Sequence, residues 1–331
     1  MNQLTRRGML TGAAAISATA LSIQGHSPAR AAAPPAGKQA PGFYRYKVGD
    51  IEVTAVTDGA RTFPIPDNFV KNAGKDAVAA ALGGMYMDAG KAMAPFTPVV
   101  VNTGSKLVVI DTGLGPATFE QSKGAMGQFH GNLAAAGIDR NAVDTVIISH
   151  FHGDHINGLL AADNKAAFPN AEIMVPATEW KYWSDDGEMS KAPDGLKANF
   201  TNARRVFGAL GNKVTPYETG KELVPGITSV ATPGHTPGHA SHLITSGNSK
   251  VLVQADVTAA IGLLFVRNPG WHAVFDMDGA LAEQTRRTTY DMAATDKLLI
   301  QGFHFPFPAL GYVEKDGGNY RLVPVAWSPV I

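Results

Sequence analysis

Apolar positions along the chain switch repeatedly between a period of two and a period near that of a helix. Tyr44–Asp58 alternates well enough for one or two strands, with Ile51, Val53 and Ala55 set against Glu52 and Thr54. Short apolar runs predict further strands at Val99–Val101, Leu107–Ile110, Asp144–Ser149, Ala171–Val175, Val214–Tyr217, Ile227–Ala231, Ser241–Ser246, Val251–Gln254 and Leu298–Ile300. Asp76–Leu82, Ile156–Ala162, Thr178–Trp183, Leu196–Leu210 and Met277–Asp296 read as helices, and so does 117–136, closed by Gly137. Tyr312–Glu314 and Tyr320–Val325 flank Asp316-Gly317-Gly318 as a terminal hairpin. Two stretches lack a period. Phe63–Lys75 is a loop of Pro, Asn and Gly, and Gly83–Pro98, with Met85, Tyr86, Met87 and Met93, reads equally as a flap near a substrate or as loop packing. Strands and helices alternate in two sets, before and after about residue 195, with no interior linker, so the pattern implies a layered α/β sandwich of one domain, residues 43–331.

The N-terminus is different in kind. Thr5-Arg6-Arg7-Gly8-Met9-Leu10 carries paired arginines, a mildly apolar alanine-rich segment follows, and Ala29-Arg30-Ala31 offers a cleavage site. Residues 1–31 resemble a twin-arginine export signal, which implies a periplasmic or secreted protein. The uncharged stretch from Gly8 to Gln24 is too short and too rich in Gly, Ser and Thr for a stable membrane anchor. Residues 32–42, with three prolines, form an extended lead-in.

The chemistry concentrates after the run Asp144–Ser149, where His150, His152, Asp154 and His155 put four potential metal ligands within six residues. Neutral imidazole suits zinc and similar divalent ions, and a carboxylate adds a harder ligand. Crowding these groups without a cation would invite repulsion and unsatisfied polar atoms. His235, Asp256 and His304 each follow a further predicted strand, and open α/β sheets collect ligands at strand carboxyl ends. There is no cysteine, which removes disulfides, thiolate metal sites and cysteine nucleophiles together. His130, His242 and His272 belong to no motif and are read as structural.

The H-x-H-x-D-H run His150–His155, the later Gly234-His235, Asp256 and His304, in that order, together with Asp111-Thr112-Gly113, resemble the metallo-β-lactamase superfamily. Within it the chain is most similar to the methyl parathion hydrolases, through Val101–Lys106, Ala167–Asn170, Leu223–Ile227, Gly234–His239 and Tyr320–Val325. The resemblance implies a single-domain, four-layer αββα sandwich. It implies that His150, His152 and His235 hold one ion, that Asp154, His155 and His304 hold another, and that Asp256 bridges. Two divalent ions, zinc first among them, follow from it, and so does a homodimer. His239 and Asp111 would support these ligands from behind.

Two ions about 3.5–4 Å apart can generate a hydroxide nucleophile at neutral pH and clamp a scissile centre. Asp154 is then the candidate proton acceptor and Asp256 the bridging carboxylate on which turnover depends. Trp180, Trp183, Leu264, Phe265, Trp271 and Phe305 lie near ligand loops in sequence and suggest an apolar pocket. An uncharged hydrophobic ester, lactone or phosphotriester would suit it. The 28 basic and 28 acidic side chains balance, which gives no footprint for nucleic acid. A β-lactamase or thioester hydrolase of the same fold is the enzymatic alternative, and a metal-binding protein the non-enzymatic one.

Overall fold

Runs in which every residue is apolar form strands buried on both faces, and here they build two large sheets. The computed structural model describes residues 35–37 and 39–331, so the segment read as an export signal lies outside the described residues, and Ala40–Ile331 form one unit. In chain order come β1 (Phe43–Val48), β2 (Ile51–Val56), β3 (Gly59–Pro64), β4 (Lys91–Phe96), β5 (Val99–Asn102), β6 (Leu107–Ile110), β7 (Thr145–Ile147), β8 (Glu172–Pro176) and β9 (Val214–Tyr217). They are followed by β10 (Glu222–Val224), β11 (Ile227–Ala231), β12 (Ala240–Ser246), β13 (Ser249–Ala255), β14 (Leu299–Gly302), β15 (Leu310–Asp316) and β16 (Asn319–Pro324). The first sheet has the order β1-β2-β5-β6-β7-β8-β9 and the second runs β10 to β16 in sequence, while β3 and β4 pair with each other outside both.

The helices are α1 (Lys75–Gly83), α2 (Pro116–Gln121), α3 (Phe129–Ala135), α4 (Gly153–Ile156), α5 (Ala177–Ser184), α6 (Asp186–Lys191), α7 (Asp194–Leu210), α8 (Gly262–Arg267) and α9 (Gly279–Asp296). Alternate residues of one strand serve different cores. Val100 and Val109 pack outward with α3 and α7, while Val99, Val101, Val108 and Ile110 pack inward against Ile227, Ile244 and Val251 of the second sheet. On the far side Leu252 and Ile300 meet Tyr290 and Ala293 of α9. Three apolar slabs between helix, sheet, sheet and helix give the four-layer αββα sandwich.

Several predicted elements shift. The stretch Gly83–Pro98 contains β4, whose partner β3 reaches Pro64, because Ala92, Ala94 and Phe96 alternate inward with small side chains that give little periodic signal. The helix expected over 117–136 breaks between α2 and α3, where Gly124 and Gly127 adopt left-handed backbone. A Cβ on Gly127 would lie 2.4 Å from the Gly115 carbonyl, so the break is enforced by close approach. The helix expected at Ile156–Ala162 begins earlier, at Gly153, and gives way to a 3-10 turn at Asn157–Leu159. Neither α6 nor α8 was legible as a separate element.

Candidate metal centre and active site

Every segment that carries a candidate ligand follows a strand of one of the two large sheets. β7 ends at Ile147, and two residues later the chain turns so that His150 is buried and His152 sits at the N-cap of α4. Asp154 and His155 then lie in its single turn. Beyond β13, a register irregularity between Val253 and Ala255 and a left-handed backbone at Ala255 re-aim Asp256 toward the same space. Gly234 holds the His235 loop against α9, where a Cβ would meet the Ala282 nitrogen at 2.3 Å, at a φ of +125°.

The structure brings all seven candidate ligands together. His150, His152 and His235 form one group of mutually close donor atoms, Asp154, His155 and His304 another, and His150, His155 and Asp256 a third between them. His152 Nδ1 lies 3.1 Å from His150 Nε2 and 2.9 Å from His235 Nε2. Asp256 Oδ2 is 3.2 Å from the Nε2 atoms of both His235 and His304, and its Oδ1 is 3.2 Å from His155 Nε2. Yet His155 Nε2 and Asp256 Oδ1, both buried, find no hydrogen-bond partner among the described residues. Lone pairs crowded face to face and orphaned in this way fit a cation at their centre.

Acceptors behind the rings fix which nitrogen points inward. His155 Nδ1 donates to Asp111 Oδ2 at 2.8 Å, His235 Nδ1 to Asp276 Oδ1 at 2.9 Å, and His304 Nδ1 to the Pro95 carbonyl at 2.8 Å. Each Nε2 lone pair therefore faces the cluster. Asp111 also accepts from the Ser149 amide and hydroxyl, at 2.8 Å each, on a left-handed backbone of its own. His239 supports Asp256 rather than its nearer sequence neighbour His235: its Nε2 accepts from the Asp256 amide at 3.0 Å, and its Nδ1 is held by the Thr232 carbonyl at 2.9 Å.

The protonation pattern follows. Burial and the neighbouring imidazoles hold His150 and His152 well below the ordinary histidine range, and burial with His235 pulls His239 down to about 3. Burial opposes charge on His155 and His235 too. There Asp256 and a second carboxylate outweigh it, raising His155 and lifting His235 to about 9.

Three buried carboxylates that sequence reasoning missed hold the frame. Glu179 of α5 accepts from the Phe151 amide at 3.2 Å, the Trp183 indole at 2.7 Å and the Gly238 amide at 2.7 Å, joining the two histidine loops. Asp58 accepts from the Leu114 and Phe129 amides at 2.7 and 2.8 Å; burial pushes its carboxyl up to about 7 against these donors. Asp276 holds His235. No spacing rule marks a single acidic residue in a loop, so none of the three carried a signal.

A cavity of about 470 Å³ opens over the cluster, with His152, Asp154, His235, Asp256 and His304 at its base. Its wall is Arg61, Phe63, Ala94 and Phe96 from the β3–β4 pair, together with Leu114, Thr118, Met126 and Phe275. The wall expected from sequence proximity is not this one. Trp180 and Trp183 line a separate groove with Phe151 and Phe207; Trp183 turns inward onto Phe200 at 4.7 Å. Leu264 and Phe265 are fully buried under the β3–β4 pair with Trp271 packed against them, and Phe305, on the opposite side of the chain from His304, is fully buried beneath the second sheet. A second cavity of about 360 Å³ also touches His304 and lies against Met93 and Pro95. His130, His242 and His272 bond to Gly158, Tyr217 and Glu283 and take no part in the cluster.

The family model of the metallo-beta-lactamase superfamily matches residues 97–300, which include all seven candidate ligands but His304. The chain belongs to the metallo-beta-lactamase superfamily. N-acyl homoserine lactonase AttM of Agrobacterium fabrum is a relative, 33% identical over 129 residues, or 37% of this chain and 43% of that one. An N-acyl homoserine lactonase of Bacillus thuringiensis is 30% identical over 127 residues, 38% of this chain and 43% of its own. The matched segment therefore spans less than half of these relatives. Solved superfamily structures cover far more. AidC, a dizinc quorum-quenching lactonase in complex with a product, N-hexanoyl-L-homoserine, superposes with a TM-score of 0.79 at 25% identity, over 87% of this chain and 98% of that one. The hydrolase AbOPH of the beta lactamase superfamily gives 0.79 at 27%, over 88% and 100%.

Proposed function

We propose that this superfamily member is a dinuclear metal-dependent hydrolase that opens lactones, with N-acyl homoserine lactones as the substrate class. The observation that carries the reading is the seven-donor cluster flooring an apolar cavity of a size suited to a small ligand. The lactonase names of the relatives support the choice of substrate. His150, His152 and His235 would hold one ion, Asp154, His155 and His304 the other, and Asp256 would bridge. Two zinc ions, when bound, supply Lewis acidity that polarises the scissile carbonyl and acidifies a water.

The chain's own groups do the rest. Asp154, whose side chain keeps 22% exposure while Asp256 keeps 3%, is the more open of the two carboxylates at the base of the cavity. The carboxylate oxygen of Asp154 not turned toward His155 and His304 takes the proton of the attacking water and returns it to the leaving ring oxygen. Phe63, Phe96, Leu114 and Met126 exclude solvent and accept an acyl chain, and Arg61, stacked over Phe63 at 5.6 Å, meets a polar group at the rim. The same attack geometry serves aryl esters and uncharged phosphotriesters, and the sequence likeness to methyl parathion hydrolases supports the latter as a secondary activity. The β-lactam and thioester alternatives draw no comparable support. We further propose export to the periplasm through residues 1–31, and a homodimer.

Matched rates on an N-acyl homoserine lactone and methyl parathion, after bound metal is quantified, test the reading. Preference for the lactone by orders of magnitude at two ions per chain is the expected result. Absence of turnover at full metal content refutes the substrate class, and preference for methyl parathion reverses the order of activities.

A further inference from the structure

Arg286 is 1% exposed in the middle of α9, where the surrounding core is apolar. A guanidinium is costly to bury there unless its donors are used, and four of the five are. Its Nε donates to the Val257 carbonyl at 3.0 Å, Nη1 to the carbonyls of Pro269 and Trp271 at 2.8 and 2.9 Å, and Nη2 to Asp276 Oδ2 at 3.2 Å. Val257 directly follows the ligand Asp256. The other oxygen of Asp276 accepts from the ligand His235 at 2.9 Å. The backbone repeats the connection, since the Met277 amide donates to the His235 carbonyl at 3.1 Å and the Asp278 amide to the Gly234 carbonyl at 2.9 Å.

From this arrangement we infer that Asp276 and Arg286 are positioning residues for the metal centre, one planar fork setting His235 against Asp256. The inference rests on the dinuclear reading above. Asp276 fixes the tautomer and ring angle of His235, and Arg286 fixes Asp276 while holding the loop that carries Asp256. A fork with rigid geometry is suited to span two loops that arrive from different strands, which a lysine is not. The position of the pair also sets Phe275 at the cavity wall, one residue before Asp276.

The test is zinc titration of the metal-stripped full chain, compared with Asp276→Asn and Arg286→Lys, with melting of the metal-free proteins alongside. Asparagine keeps the size of aspartate but must turn an amide N–H toward either His235 or Arg286. The expected result is two zinc ions in the wild type and, in Asp276→Asn, one affinity weakened about 10–100-fold with the other unchanged. Arg286→Lys, which also loosens the loop of the bridging Asp256, should weaken the same ion most and the other less, and should it not fold, the Asp276→Asn titration decides alone. Equal loss at both sites, or wild-type affinities with only a lowered metal-free melting temperature, overturns the inference and leaves the pair a purely structural element. A wild type that takes up no pair of ions overturns the dinuclear reading, and this inference with it.

Discussion

Replacing Glu179 with glutamine tests how far one side chain holds the two histidine loops together. The carboxylate is fully buried; Oε1 accepts from Gly238, and Oε2 accepts from both Phe151 and Trp183. Burial raises its pKa above the ordinary glutamate value against the pull of these donors, all of which want an acceptor. Glutamine has one oxygen. In its cheaper orientation it keeps Phe151 and Trp183 and turns an N–H against the Gly238 amide; in the other it loses two bonds. Leaving one buried donor unsatisfied costs about 1–3 kcal/mol, and alanine, which orphans three, should cost at least about 3 kcal/mol. For a unit of this size each kcal/mol lowers the melting temperature by roughly 2 °C. Thermal melts of the metal-free protein at pH 7.5 should therefore place E179Q about 2–6 °C below wild type, with E179A lower still. Because Phe151 lies between His150 and His152, both variants should also lose zinc more readily to a chelator. An E179Q protein melting within about 1 °C of wild type, with zinc held as tightly, would refute this account.

Asp256→Asn should abolish turnover and reduce bound metal, measured by lactone hydrolysis and metal analysis; full activity would end the bridging assignment. Gly234→Ala places a Cβ 2.3 Å from the Ala282 nitrogen at a φ that L-residues avoid, so a loss of more than about 2 kcal/mol in denaturant unfolding is expected. Burial lowers His130 to about 4 while its ring donates to the Gly158 carbonyl. The unfolded chain then binds a proton that the native state refuses, so stability present above pH 6.5 is lost as the pH falls toward 4, by on the order of 3 kcal/mol. His130→Gln, which can keep the bond and cannot titrate, should flatten that part of the pH–stability curve. Chelation should lower the melting temperature and added zinc restore it, since binding to the native state adds stability by mass action.

The central strands and the ligand set were legible for opposite reasons. Val99–Val101 and Leu107–Ile110 are apolar at every position because both faces are buried, a pattern that short runs display openly. The ligands stood out by density, four within His150–His155. The strand β4 was hidden because Ala92 and Ala94 fill its inner face. The pocket wall differs from the expectation because nearness in sequence carries no direction: Phe305 adjoins His304, yet it is buried with Val257, Tyr290 and Ile300. The actual wall comes from Phe63, Phe96 and Met126, which only the folded chain brings to the ligands.

The β3–β4 pair belongs to neither large sheet, and its alternation sends Ala94 and Phe96 to one cavity and Met93 and Pro95 to the other. Its exposed side chains, Arg61 and Met93 among them, can therefore be exchanged to reshape the cavities without disturbing the sandwich beneath, whereas Ala92, Ala94 and Phe96 are fixed by their place in a buried cluster. One backbone contact is fixed as well. The Pro95 carbonyl orients His304, and that contact is made by backbone, which no side-chain exchange removes. Such a division separates the side chains that shape the cavity from those gathered at its base, and it marks β3 and β4 as the segment in which to alter one without the other.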